Sequence, residues 1–147
     1  MRVVVGSDER TELTDAVVAD LAERGHELVL VGPLAGEDFE WADVGRLVGE
    51  AVASGGAECG VCFCWTGTGV SIAANKVAGV RAALCSDAAT ARGARRWNDA
   101  NVLVMSLRAV APAIGREMLD AWFGTDADPA EAANVAKVSG PRGPTCS

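Results

Sequence analysis

The chain has 147 residues, 50% of them hydrophobic, a net charge of −7 and one histidine. That length and apolar content describe one domain with a core of ordinary size. The acidic balance, with a sequence pI near 4.6, excludes non-specific attraction to nucleic acid, because no basic patch is segregated along the chain. No stretch approaches the roughly 20 apolar residues of a membrane span, and the N-terminus runs into a strand without a leader-like pattern, so a cytoplasmic protein is expected. Five cysteines, an odd count in a chain that needs no staples, suit free thiols in a reducing compartment better than a disulfide framework.

Taken in order, the first β-branched run, Arg2–Gly6, reads as a strand. A helical pattern follows over Leu13–Arg24, with Leu13, Val17 and Leu21 on one face and Gly25 as its stop. Glu27–Val31 is the next strand and Trp41–Ser54 the next helix. Cys59–Cys64 is a strand apolar on both faces, and Val70–Lys76 a helix. Strand Arg81–Cys85 precedes helix Asp87–Trp97, which Asp87 opens. Strand Val102–Met105, helix Ala109–Phe123 and a last helix, Pro129–Val138, complete the pattern.

Strands alternating with helices predict a three-layer, Rossmann-like α/β sandwich around a five-stranded parallel sheet. It forms one domain over residues 1–138, with a flexible tail at 139–147. Arg92, Arg95 and Arg96 stand at helical spacing, either as one solvated stripe or as the lining for an anionic ligand.

Ligands of open α/β sheets bind beyond the carboxyl ends of the strands. The first strand ends in Gly6-Ser7-Asp8-Glu9-Arg10 and the third in Cys64-Trp65-Thr66-Gly67-Thr68-Gly69; the fifth is preceded by Trp97-Asn98-Asp99-Ala100-Asn101. The Thr66–Gly69 loop opens a helix, so its free N–H groups form a cradle for an oxyanion. It lacks the Lys-Ser/Thr ending of a phosphate loop and the spacing of a dinucleotide fingerprint. Cys64 stands directly before this loop, where a thiolate facing those N–H groups would serve as a proton-transfer base. Zinc is not expected: alternation sends Cys59 to the opposite face from Cys62 and Cys64, and His26 is distant in sequence.

The run from Cys64 to Lys76, continued by Gly79-Val80-Arg81-Ala82, resembles the signature of ribose 5-phosphate isomerase B and the galactose 6-phosphate isomerase subunits. Gly6-Ser7-Asp8, Asn98–Leu103, Arg108 and Asp120–Gly124 resemble the same family in the same order. The resemblance implies an aldose–ketose isomerase of small sugars that uses neither metal nor cofactor. It also implies a homodimer, with pairing into a tetramer left open, whose active sites each draw on both chains. Cys64 would move the proton through a cis-enediolate, Thr66 would pass a proton between the two oxygens, and Asn98 would support the enediolate. Asp8, Glu9, Trp65, Gly67, Thr68, Gly69, Trp97 and Arg108 would line the substrate, with Arg108 as an anion contact.

Two departures from the family pattern bear on the substrate. Histidines expected after Asp8 and before Asn98 are replaced by Glu9 and Trp97, and an indole does no acid–base work. Ring opening then falls to Asp8 or Glu9, occurs in solution, or is unnecessary for an acyclic substrate. The C-terminal arginines that grip phosphate in the family are absent from the matching segment, Asp128–Lys137. A sugar phosphate, or an unphosphorylated or acidic open-chain sugar, is the expected substrate. A related epimerase and a non-catalytic partner subunit are the alternatives.

Overall fold

Residues 1–139 and 145–146 are described by the computed structural model. Strands β1 (Arg2–Ser7), β2 (Glu27–Val31), β3 (Cys59–Cys64), β4 (Ala82–Leu84) and β5 (Val102–Ser106) form one parallel sheet in the order β2-β1-β3-β5-β4. The chain therefore reverses its direction of travel across the sheet at β1/β3, opening a crevice at the carboxyl ends of those strands.

Alternation along each strand divides the core in two. Val3, Val5, Val61, Phe63, Leu103 and Met105 face helices α1 (Glu12–Glu23), α4 (Ala88–Asn98) and α5 (Pro112–Phe123). Val4, Cys62, Cys64, Val102 and Val104 face α2 (Trp41–Ala53) and α3 (Thr68–Asn75). Period-two packing on both faces is what a buried parallel sheet requires, and it places Cys59 opposite Cys62 and Cys64 as alternation predicts.

Local chemistry sets the helix ends. Thr11 and Thr14 form a reciprocal capping box before α1, Gly25 leaves that helix at φ +83°, and Asp87 accepts from the Thr90 N–H. The sequence pattern carried the last long helix back to Ala109, but α5 begins at Pro112, whose missing N–H belongs at a first helical position. Strand β4 is shorter than expected at both ends: the Arg81 N–H donates to Asn101 Oδ1 at 2.7 Å, while the Cys85 N–H still reaches the Val104 carbonyl at 3.0 Å. The final helical segment is a 3-10 turn, Pro129–Glu131, leading into α6 (Ala132–Ser139). None of the described helices is long and apolar enough to cross a membrane.

Two expectations are corrected. The three arginines do not share one surface, because helical phase turns Arg95 inward, where it is 3% exposed, while Arg92 and Arg96 stay on the surface. Arg95 Nη1 meets Asp99 Oδ1 at 3.0 Å, and Arg81 Nη2 meets the other carboxylate oxygen at 3.3 Å. The cysteines are not all free either: Cys59 and Cys146 form a disulfide across 87 residues, with their Cα atoms 5.1 Å apart. The bridge joins Cys146 to the start of β3, a closure invisible in local sequence. Arg95 holds the Cys146 carbonyl through Nη2. The remainder of the expected flexible tail, 140–144 and 147, lies outside the described residues.

Candidate active site

The site is built where β1, β3 and β5 end. Ser7, buried at the end of β1, donates its hydroxyl to the Glu9 carbonyl and accepts the Glu9 N–H at 3.2 Å. This tight turn aims Asp8 and Glu9 beyond the sheet. They face Trp65 across a cavity of about 730 Å³, whose other walls are Pro33, Asp38, Phe39 and Glu40. Sequence reading missed these last four. Their signal was available, because the loop after β2 ends at the same edge as the loops after β1 and β3.

Asp8 Oδ1 is buried and has no hydrogen-bond partner among the described residues. Burial first, then the charge of Glu9, holds its carboxyl above the ordinary carboxylate range, with Glu40 acting the same way. A raised carboxyl makes the folded state less favourable as pH climbs through the folded-state value, and the penalty vanishes where both states are protonated. Asp8→Asn is therefore expected to raise Tm at pH 7 and to match the parent below the ordinary aspartate value of about 4, as calorimetry across pH would report. The same change should impair activity, since Asp8 faces the cavity.

Cys64, 5% exposed, is the last residue of β3 and pairs with Ser106 of β5. Its carbonyl accepts the Leu107 N–H at 3.0 Å. The Trp65 carbonyl accepts both the Arg108 N–H at 3.1 Å and the Ser106 hydroxyl at 2.9 Å. The end of β5 thus fixes the turn that carries the thiol. Cys62 and Cys85 are poor candidates for chemistry: burial pushes both thiols up, Cys85 to about 12.

After Cys64 the chain turns through Gly67 at φ +78° and enters α3 with no side chain capping it. The Ser71 N–H, which donates to the Gly67 carbonyl at 3.2 Å, is the first to join the helical ladder. The N–H groups of Thr68, Gly69 and Val70 therefore stand outside that ladder. A methyl at Gly69 would come within 2.7 Å of the Trp41 ring, so only glycine lets the indole lie against the loop. Thr66 and Thr68 share a hydroxyl–hydroxyl hydrogen bond of 2.8 Å. Arg108 and Thr66 together line a neighbouring hollow of about 410 Å³.

Trp97 and Asn98 are not in this constellation. They end α4, which runs antiparallel to the strands for 11 residues, about 16 Å at 1.5 Å per residue. That carries them to the opposite end of the sheet, where β4 and β5 begin. There they line a cavity of about 540 Å³ with Asn75, Arg81, Glu131 and Asn134. Within one chain, Cys64 and Asn98 do not meet. No group of three or more histidine, cysteine or acidic side chains among the described residues is arranged to hold a metal ion.

Residues 3–139 match the family model for Ribose/Galactose Isomerase. The chain belongs to this family. Ribose-5-phosphate isomerase B of Escherichia coli is 40% identical over 112 residues, covering 76% of this chain and 75% of that protein. A 4-deoxy-4-sulfo-D-erythrose isomerase of a Clostridium species is 35% identical over 127 residues, covering 85% and 80%. Among solved structures, ribose-5-phosphate isomerase B of Clostridium thermocellum superposes with a TM-score of 0.88 at 36% identity, over 95% of each chain. As in other members of this aldose–ketose isomerase family, the fold is an α/β sandwich with a parallel sheet.

Proposed function

We propose that the chain isomerises an open-chain aldose to a ketose, with Cys64 as the base and a cis-enediolate as the intermediate. The observation that carries this reading is the position of Cys64, the thiol at the carboxyl end of β3, directly before an uncapped helix N-terminus. The Cys64 thiolate removes the proton on the carbon beside the carbonyl. The released electron pair forms the carbon–carbon double bond, and the carbonyl oxygen takes the negative charge before the α3 N–H groups. Thr66 passes a proton between the two oxygens, and Cys64 returns its proton to the former carbonyl carbon. A sugar phosphate, or an unphosphorylated or acidic open-chain sugar, fits this chemistry. The naming of relatives for a phosphorylated and for a sulfonated sugar supports a variable tail beyond a common reacting end.

The separation of Asn98 from Cys64 supports a homodimer in which Asn98 of one chain completes the Cys64 site of the other. An isologous pair would bring the two ends of the sheet together twice. Co-refolding inactive Cys64→Ala with inactive Asn98→Ala tests this. Random pairing leaves one intact site in half the dimers, so about a quarter of the parent activity is expected to return. Recovery of none would refute the shared site.

A further inference from the structure

We infer that the Cys59–Cys146 bridge is a reversible redox clamp on the end of α4, opened by a dithiol reductant and closed again by a disulfide oxidant. Its effect on turnover rests on the reading of Asn98 as a site residue; its effect on the order of α4 does not. The bridge joins the first residue of β3 to a residue 87 positions on. Cys62, Cys64 and Cys85 are thiols in the same fold. Cys64 transfers a proton only as a thiol, so turnover needs conditions that keep thiols reduced, and the bridge meets the same reductants.

Two sets of contacts couple the bridge to α4. Arg95 stands in the last turn of that helix and is 3% exposed. Its Nη2 donates to the Cys146 carbonyl, while Nη1 donates to Asp99 Oδ1 at 3.0 Å and to the Ala100 carbonyl at 2.6 Å. One guanidinium thus ties Cys146 to the two residues that follow Asn98. The neighbouring Thr145 walls a hollow of about 200 Å³ together with Asp99, Glu131 and Val135. Glu131 and Val135 also line the cavity around Asn98. The bridged segment therefore packs on both elements that shape this cavity.

Opening is a two-electron exchange. One thiolate of the reductant attacks a bridge sulfur and forms a mixed disulfide, while the other bridge sulfur leaves and takes up a proton. The reductant's second thiol completes the exchange, so the reductant ends as a disulfide and Cys59 and Cys146 as thiols. Without the covalent link the Cys146 carbonyl can leave Arg95. A buried guanidinium N–H then lacks an acceptor, a cost relieved when the last turn of α4 opens.

The test equilibrates the full chain with reduced and oxidised dithiothreitol at graded ratios. Alkylation in denaturant, with peptide mapping, is expected to find Cys59 and Cys146 protected in the closed form and all five cysteines modified in the open one. The Asp99 and Ala100 N–H groups donate to the Arg95 and Ala94 carbonyls at 3.2 and 3.1 Å, and their hydrogen exchange should quicken at least about tenfold on opening. Solvent deuterium exchange into ribose 5-phosphate and erythrose 4-phosphate is expected to fall at least about threefold and to return on reoxidation. Cys146→Ser should match the open form at every ratio. A pair that stays bridged or stays open throughout, amide exchange equal in the two forms, sugar exchange that proceeds equally in both, or a redox response in Cys146→Ser overturns the inference. A redox-dependent amide response with no exchange into either sugar in any form would support the clamp and count against the isomerase reading.

Discussion

Cys64→Ala is expected to lower turnover by about 10²- to 10⁴-fold, the range that a positioned acid–base group contributes, while leaving the fold in place. The side chain is nearly buried against the α2/α3 face of the sheet, so losing one sulfur atom leaves a small gap rather than an unsatisfied group. Circular dichroism and Tm should therefore stay close to the parent while solvent exchange into the sugar is lost. Cys62→Ala is the matched control. That thiol lies two residues earlier on the same strand face, fully buried and pushed up by desolvation, and its removal should leave exchange intact. Normal turnover in Cys64→Ala would remove the proposed base.

Asp99→Ala is expected to destabilise the protein by about 3–5 kcal/mol, the usual cost of stripping one member from a buried charge cluster. For a chain of this size that corresponds to a fall in Tm of roughly 6–20 °C. The carboxylate stands between two guanidiniums, Arg81 at 3.3 Å and Arg95 at 3.0 Å, all three residues being buried. Arg95 also donates to the Ala100 carbonyl and lies 5.6 Å from the centre of the Trp122 ring. Removing Asp99 would leave two positive charges facing each other in a space that water does not reach. Its backbone adds a second effect, because Asp99 ends α4 at φ +44°, a conformation that aspartate and asparagine tolerate better than alanine. Asp99→Asn keeps that tolerance and loses only the charge, so its loss should fall between parent and alanine. Thermal denaturation distinguishes the three. A change below about 2 °C for the alanine variant would mean that the cluster does not anchor this end of the sheet. The neighbouring Asn98 makes the test relevant to function, since a loosened α4 end would misplace a residue proposed to complete the site.

The local pattern was sufficient for most of the fold. Cys59–Cys64 reads as a fully buried strand because every residue is apolar or glycine, and it is one. Leu13, Val17 and Leu21 mark the buried face of α1 because helical periodicity is itself the record of one-sided burial. The Cys64–Gly69 turn was also legible: a strand end, two glycines and a helix start lie within a few residues, so their geometry is set by the residues themselves. What the sequence alone determined was each element, its buried face and the short loop that carries the thiol.

Tertiary structure decided whatever depends on which distant segments meet. Helical phase placed Arg95 near the core beside Asp99 four residues on, but only tertiary structure brought Arg81 to the other side of that carboxylate. Cys59 and Cys146 carry no local sign of pairing, since 87 residues separate them and the closure depends on the path of the chain end. Asn98 and Cys64 stand in one family motif set, yet the antiparallel run of α4 places them at opposite ends of the sheet. The acidic wall around Asp8 likewise exists only because the loops after β1, β2 and β3 share an edge. Periodicity and turn chemistry act over a few residues and survive in a linear reading; charge compensation, cross-links and cavity walls belong to pairs of segments, and only the folded chain brings those pairs together.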